Sequence, residues 1–409
     1  MLEDATSLNG PLRMGTPNNR ADIEALASIL EQHSVGVGRI TPGPRGSRLS
    51  GEPRRLLEAA IEALGGEEID GATLVYANAC YALGRHDEAS AAYRKLLEQT
   101  PDDVDARFNL GLAHLRLREP EQAVREFTET LVRSPQLAEA YYQRGNAYDD
   151  LGNVEQALTD YERAIDLAPG YIQPMYNRGI VLAGEGRHQE AVAQFDRVIA
   201  LRPDIGNAHL NRGASLDELG LHEEAIASYS RAVEVNPNDP RPRFNRARTR
   251  YYLGYLQEAL DDYSEVLRLD PEDAEAYNNR GLAFDALGDY DSAVADYEQA
   301  LEVRPDFAEA HSNLGAVLEA QGEINAALDA YHSALAASPR LASAHYNAAR
   351  VYSQIGDVES CLRHLDSVVG GGPARGPAPA RWGGVGGGVV GGGIWGGGGD
   401  FQKTDVGGF

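Results

Sequence analysis

Asparagine recurs at a fixed interval along most of this chain. Asn109, Asn177, Asn211, Asn245, Asn279, Asn313 and Asn347 are separated by 34 residues or a multiple of it, and Gln143 fills the one gap in register. A side-chain amide carries both a donor and an acceptor, so one such residue can pair with the N–H and the C=O of an extended backbone. Repeated at a constant step, that pairing would hold a peptide whatever its side chains. This is binding chemistry rather than bond-breaking chemistry. The sequence holds no HExxH helix, no cysteine pair at zinc spacing, no GxSxG and no phosphate loop ending in Gly-Lys-Ser/Thr. Gly36 and Gly38 begin a GxG pattern that Thr41 breaks. Of the ten histidines, His209, His311 and His345 share one register and His86, His188 and His222 another, which reads as structural filling. No catalysis and no cofactor are expected.

Other side chains accompany the row. Phe108, Tyr142, Tyr176, Phe244 and Tyr346 each precede a row residue. They could form apolar shelves for a ligand or cover the seams between structural units. Asp149, Asp150, Asp217, Glu218, Asp285 and Glu319 place acidic charge farther along the same segments. Against them stands RPRFNRARTR, where Arg241 and Arg248 are seven apart and share a helical face. Arginine grips carboxylate or phosphate with a planar fork, so these two are candidates for an anionic group of a partner. The alternative is salt bridging to Asp217, Glu218 and Asp285. Arg144, Arg178, Arg212, Arg246 and Arg280 directly follow the row, and three have an aspartate 16 residues on: Asp160, Asp262 and Asp296. That spacing predicts a structural pair within each unit, worth roughly 0–1 kcal/mol if exposed.

The elements that position these residues are set by eight prolines: Pro101, Pro135, Pro169, Pro203, Pro237, Pro271, Pro305 and Pro339, each 34 residues after the last. Counting Ala274 as position 1, the asparagine row is position 6 and the prolines are position 32. The unit AEAYNNRGLAFDALGDYDSAVADYEQALEVRPDF reads as two amphipathic helices with Gly288 between them and Pro305 as a stop. Position 8 is small: Gly111, Gly145, Gly179, Gly213, Gly281 and Gly315, with Ala77, Ala247 and Ala349. Position 20 is alanine from Ala89 to Ala327, then Cys361. Position 24 carries the bulk: Tyr93, Phe127, Tyr161, Phe195, Tyr229, Tyr263, Tyr297 and Tyr331. Small residues at 8 and 20 let two helices approach while the aromatic fills the space between. Three departures stand out. Arg118-Glu119-Pro120 replaces the turn glycine, with Pro120 able to start a helix. Pro240 and Pro242 predict a delayed start in the sixth unit. Leu365 stands in the last aromatic slot.

On these positions the chain resembles the tetratricopeptide repeat family, over roughly 70–369, in eight full repeats and a ninth without its proline. The resemblance implies an all-α, right-handed superhelical solenoid whose first helices line an inner groove. The asparagine row is similar to the ladder in the superhelix of O-GlcNAc transferase. The family's clamp for chaperone-tail carboxylates uses lysine, and no lysine occupies the first helices here. The implied function is a noncatalytic scaffold or adaptor that takes a peptide or helix of another protein in its groove. Two alternatives remain: the substrate arm of an enzyme such as a glycosyltransferase whose catalytic domain is separate or lost, and a self-assembling element that associates through its uncapped last repeat.

Composition narrows the partner. There are 62 acidic against 37 basic residues, a net charge of −25, which argues against nucleic acid or anionic membrane. No signal-like start and no apolar run of spanning length occurs, and Cys80 and Cys361 read as buried free thiols, so a cytoplasmic protein is expected. Residues 1–20 read as disordered and 21–69 as helices that cap the solenoid. Residues 370–409 hold 18 of 45 glycines. They read either as a flexible low-complexity tail or as the product of a frameshift in GC-rich DNA, which the scarcity of lysine (Lys95 and Lys403 alone) favours.

Overall fold

A computed structural model describes residues 38–40, 54, 55, 57, 58 and 73–369. The expectations for 1–20, for most of 21–69 and for 370–409 lie outside them. Of the helix expected over Pro53–Leu64, residues 54, 55, 57 and 58 are described and helical.

The described residues form an all-α repeat fold with no strand among them. The helices are α1 (Thr73–Ala82), α2 (His86–Gln99), α3 (Val104–Arg116), α4 (Pro120–Arg133), α5 (Ala138–Asp150), α6 (Val154–Leu167), α7 (Ile172–Gly184), α8 (His188–Leu201), α9 (Gly206–Glu218), α10 (His222–Val235), α11 (Pro240–Leu253), α12 (Leu256–Leu269), α13 (Ala274–Leu287), α14 (Tyr290–Val303), α15 (Ala308–Ala320), α16 (Ile324–Ala337), α17 (Ala342–Gln354) and α18 (Val358–Val369). Odd numbers are the first helices of the repeats and even numbers the second.

Every second helix from α2 to α16 stops two residues before its proline. The residue between is forced toward extended backbone by the proline ring, as at Ser134 (φ −135°, ψ 71°). Between the helices of a repeat the chain turns through a left-handed residue. Glycine supplies it at eight places, from Gly84 to Gly356, with φ between 73° and 84°. In the second repeat Arg118 takes the same conformation at φ 63°, and Pro120 opens α4 as expected. The delayed start expected in the sixth repeat does not occur. Helix α11 begins at Pro240, with Asp239 as its cap accepting from the Arg241 N–H at 3.1 Å. Both prolines fall in the first turn, where their missing N–H groups have no intrahelical partner to lose.

The chain divides into two compact units, one reaching Leu182 and one running from Ala183. In the first unit α1 to α6 pack each on the next, and first helices of successive repeats also touch, α1 with α3 and α3 with α5. The second unit repeats this from α8 to α18, with α9, α11, α13, α15 and α17 in sequential contact. The core of each repeat is the one expected. The position-20 alanines from Ala89 to Ala327 and the position-24 aromatics are all at 0–1% exposure. A Cβ on Gly145 would lie 2.8 Å from the Tyr161 ring, and one on Gly213 would lie 2.5 Å from the Tyr229 ring. The ninth repeat closes less well. Leu365 is exposed, and Cys361 is only half-buried, whereas Cys80 is fully buried.

Candidate functional site

In the first unit the position-6 row is carried by the first helices α3, α5 and α7. Asp103 accepts from the Ala106 N–H at 2.9 Å and fixes the start of α3, which carries Asn109. The Asn109 amide is buried and fully engaged. Its Oδ1 accepts from the backbone N–H of Ile40 at 2.8 Å, and its Nδ2 donates to the Gly38 carbonyl at 2.9 Å and to Asn78 Oδ1 at 3.0 Å. Asn78, at position 9 of α1, also donates to Gly38 O at 2.9 Å and accepts from the Tyr93 hydroxyl at 2.6 Å. The same arrangement of tyrosine and two amides returns two repeats later. Tyr161 donates to Asn146 Oδ1 at 2.9 Å, and Asn177 Nδ2 donates to Asn146 Oδ1 at 2.9 Å and to the Tyr142 hydroxyl at 3.2 Å. Gln143 accepts from Asn146 Nδ2 at 3.2 Å.

In the second unit Asn211 and Asn347 are buried, while Asn245, Asn279 and Asn313 are half-buried. Asn313 donates to Asn278 Oδ1 at 2.9 Å, and Asn278 donates to Asn279 Oδ1 at 3.3 Å. The row thus follows one register, but part of its hydrogen-bonding capacity is spent on neighbouring side chains.

The flanking residues divide. Tyr176 and Phe108 are fully buried and Tyr142 nearly so, with Phe108 5.5 Å from the Phe127 ring and Tyr142 5.3 Å from that of Tyr171. These rings fill seams and leave little surface for a shelf. Phe244 is half-buried, 5.7 Å from the Tyr263 ring, and Tyr346 is exposed. Arg241 forks onto its own cap, Asp239, at 2.9 and 2.6 Å, and touches Asn207 at 3.0 Å. Arg248 lies close enough to Tyr229 and Tyr263 for its charge to oppose the upward shift of both phenols. The acidic positions are not all groove charge either. Asp217 is buried and accepts from Tyr229 at 2.8 Å and Thr249 at 2.7 Å. Glu319 accepts from Tyr331 at 3.0 Å and Arg350 at 2.8 Å. Burial holds the Asp285 carboxyl above its usual range.

The arginines that follow the row pair as expected, but the pairs are not exposed. Arg144, Arg246 and Arg280 fork onto Asp160, Asp262 and Asp296 at 2.6–2.8 Å, and each of these aspartates is buried. A third nitrogen of each arginine reaches back to a hydroxyl of the preceding repeat: Thr128, Ser230 and Ser264 at 2.8–3.1 Å. The pair therefore ties one repeat to the next. A further row escaped sequence reasoning. Position 4 donates to the carbonyl of the preceding proline from Arg107, Tyr141, His209, Arg243, His311 and His345, at 2.6–3.4 Å. Because a carbonyl only accepts, the three histidines must carry their proton on Nε2. The available signal was that every one of these position-4 side chains can donate.

Burial pushes the Tyr76 phenol up to about 12 and the Cys80 thiol up to about 11. It also depresses His209 and His364. Among the described residues no cluster of His, Cys, Asp or Glu could hold a metal ion, and no helix is long and apolar enough to cross a membrane.

A family model described as TPR repeat matches residues 77–117, 247–288 and 284–322, and two described as tetratricopeptide repeat match 138–171 and 176–240. No curated protein matches the chain. Among solved structures, the C-terminal part of a TPR repeat-containing protein from Cytophaga hutchinsonii is 16% identical, covering 58% of this chain and 98% of that one at a TM-score of 0.53. YrrB, described as a TPR protein with an unusual peptide-binding site, is 26% identical, covering 48% of this chain and 97% of that one at 0.42. MamA from Desulfovibrio magneticus is 22% identical, covering 42% and 96% at 0.40.

Proposed function

The chain belongs to the tetratricopeptide repeat family, and from that premise we propose that it is a noncatalytic scaffold holding an extended segment of a partner protein along the position-6 row. One observation carries the reading. The Asn109 amide takes the backbone of a separate segment by an N–H, of Ile40, and a C=O, of Gly38, at once, which is the chemistry the row would offer to a peptide. Asn245, Asn279 and Asn313 remain half-buried and within reach of a second chain. The two free thiols suit a reducing compartment, and cytoplasmic residence is part of this reading.

The test is selection from a displayed peptide library, followed by titration of the selected peptides. The full chain is compared with one carrying Asn245→Ala, Asn279→Ala and Asn313→Ala, circular dichroism confirming that both are folded. Affinity is expected to fall by about a hundredfold, three amides contributing about 1 kcal/mol each. Peptides that bind both proteins equally would sink the reading and move attention to the second helices or the ends.

A second reading, self-association, is favoured by helix α18. Val358, Leu362, Leu365 and Val368 are all exposed there, at the end of the described repeats. The expected result is a light-scattering mass that rises with concentration and returns to monomer with Leu362→Glu. A mass constant at one chain over a hundredfold dilution would remove this reading.

A further inference from the structure

Three residues of the chain already lie on the row. Gly38 offers its carbonyl to Asn78 and Asn109, and Ile40 gives its N–H to Asn109. Each of the three also meets a matching surface. A Cβ on Gly38 would come within 3.1 Å of Asp105 Oδ2, so glycine fits there best. Arg39 stands 3.3 Å from Asp105 and 3.8 Å from Glu139, with its guanidinium 5.9 Å over the Phe108 ring. Ile40 is 5% exposed and belongs to the same apolar cluster as Phe108, Ala77 and Leu57.

We propose that Gly38–Ile40 occupies, in cis, a binding site for segments of the form glycine, arginine, aliphatic residue, and that a partner protein presenting such a segment displaces it. This deepens the reading above and rests on it. The backbone bonds are indifferent to sequence, but the seats on either side are not. One favours a residue without Cβ, one is acidic and faced by an aromatic ring, and one is apolar. The hold on Arg39 is weak enough to exchange, since both of its ion pairs are open to water. An external segment therefore competes with a tethered one for the same groups, and its apparent affinity is reduced by the fraction of time the site is closed. The net charge of −25 favours approach of a basic partner.

The experiment titrates a labelled peptide with the sequence of residues 34–44 against three full-length proteins: native, Arg39→Glu, and Arg39→Glu with Asn109→Ala. In Arg39→Glu a third carboxylate faces Asp105 and Glu139, so the tethered segment leaves. Peptide affinity should rise about tenfold over native if the native site is open about a tenth of the time. The added Asn109→Ala should abolish it. A charge-swapped pair, Asp105→Arg with a peptide carrying glutamate in place of arginine, should bind where Asp105→Arg with the original peptide does not. Equal affinity in native and Arg39→Glu, with Asn109 still required, would overturn displacement and leave the row's peptide chemistry standing. No binding to any protein would make Gly38–Ile40 a fixed part of the fold. The asparagine triple variant, which lies in the second unit, judges the proposed function separately.

Discussion

Asp262→Ala is expected to destabilise the second unit by about 3 kcal/mol, read as a lowered urea midpoint by circular dichroism and as faster amide exchange in α11 and α12. Asp262 receives a fork from Arg246 and a further bond from Arg250 at 2.6 Å, and its side chain is 7% exposed. Removing it strands two guanidinium groups against each other with no anion between them. The figure stands at the low end of the range for broken buried pairs because the arginines themselves reach water, at 15% and 22% exposure. Asp196→Ala is the internal control. Its carboxylate pairs with Arg212 at 2.6 Å but is 52% exposed, so its loss should cost less than about 1 kcal/mol. Equal losses at the two sites would show that burial of the aspartate does not matter and would return the whole ladder to the exposed pairs expected from spacing alone.

Tyr229→Ala should cost more still, about 3–5 kcal/mol, as truncation of a fully buried aromatic does. The ring has Gly213 beneath it, where even a Cβ would be only 2.5 Å away. A glycine has no side chain to swing into the space, so the cavity has little way to collapse. Changing tyrosine to phenylalanine separates ring from hydroxyl. At Tyr229 the hydroxyl donates to buried Asp217, and its loss should cost about 1 kcal/mol. At Tyr297 the hydroxyl is buried with no partner among the described residues, so Tyr297→Phe should be neutral or stabilising. Denaturation of the two phenylalanine variants checks this. An equal cost at both would mean that the Asp217 bond contributes nothing.

What could be read from the chain was whatever the period repeats. The prolines, the turn glycines and the small and aromatic slots are local, and each acts through backbone geometry or volume within one repeat. Arg118 shows the strength of that frame, since the turn keeps its left-handed form without glycine. The start of α11 was misjudged because two prolines look like an interruption, whereas in a first turn they are tolerated. The depth of the arginine ladder was not legible either. Spacing placed the partners, but burial is set by packing between the helices, and the arginine-to-aspartate spacing does not show the tie to a hydroxyl of the repeat before. The contact between Asn109 and Ile40 spans 69 residues and involves a backbone with no periodic signature. Spacing could say that the row was able to take an extended chain, not that it takes its own.

The amide chain Tyr93, Asn78, Asn109 and its counterpart Tyr161, Asn146, Asn177 are related by two periods rather than one. At the intervening step position 9 is Leu112, which can neither accept from Phe127 nor support the next row residue. The fold has a single-repeat period, but within the first unit the amide chain returns only after two, and it ends there, since the next alternate step has Ala214 at position 9. A chain lying along these first repeats meets equivalent groups two steps apart, and so has a phase. A segment shifted by one repeat finds leucine where asparagine was, which sets the register of whatever is held there.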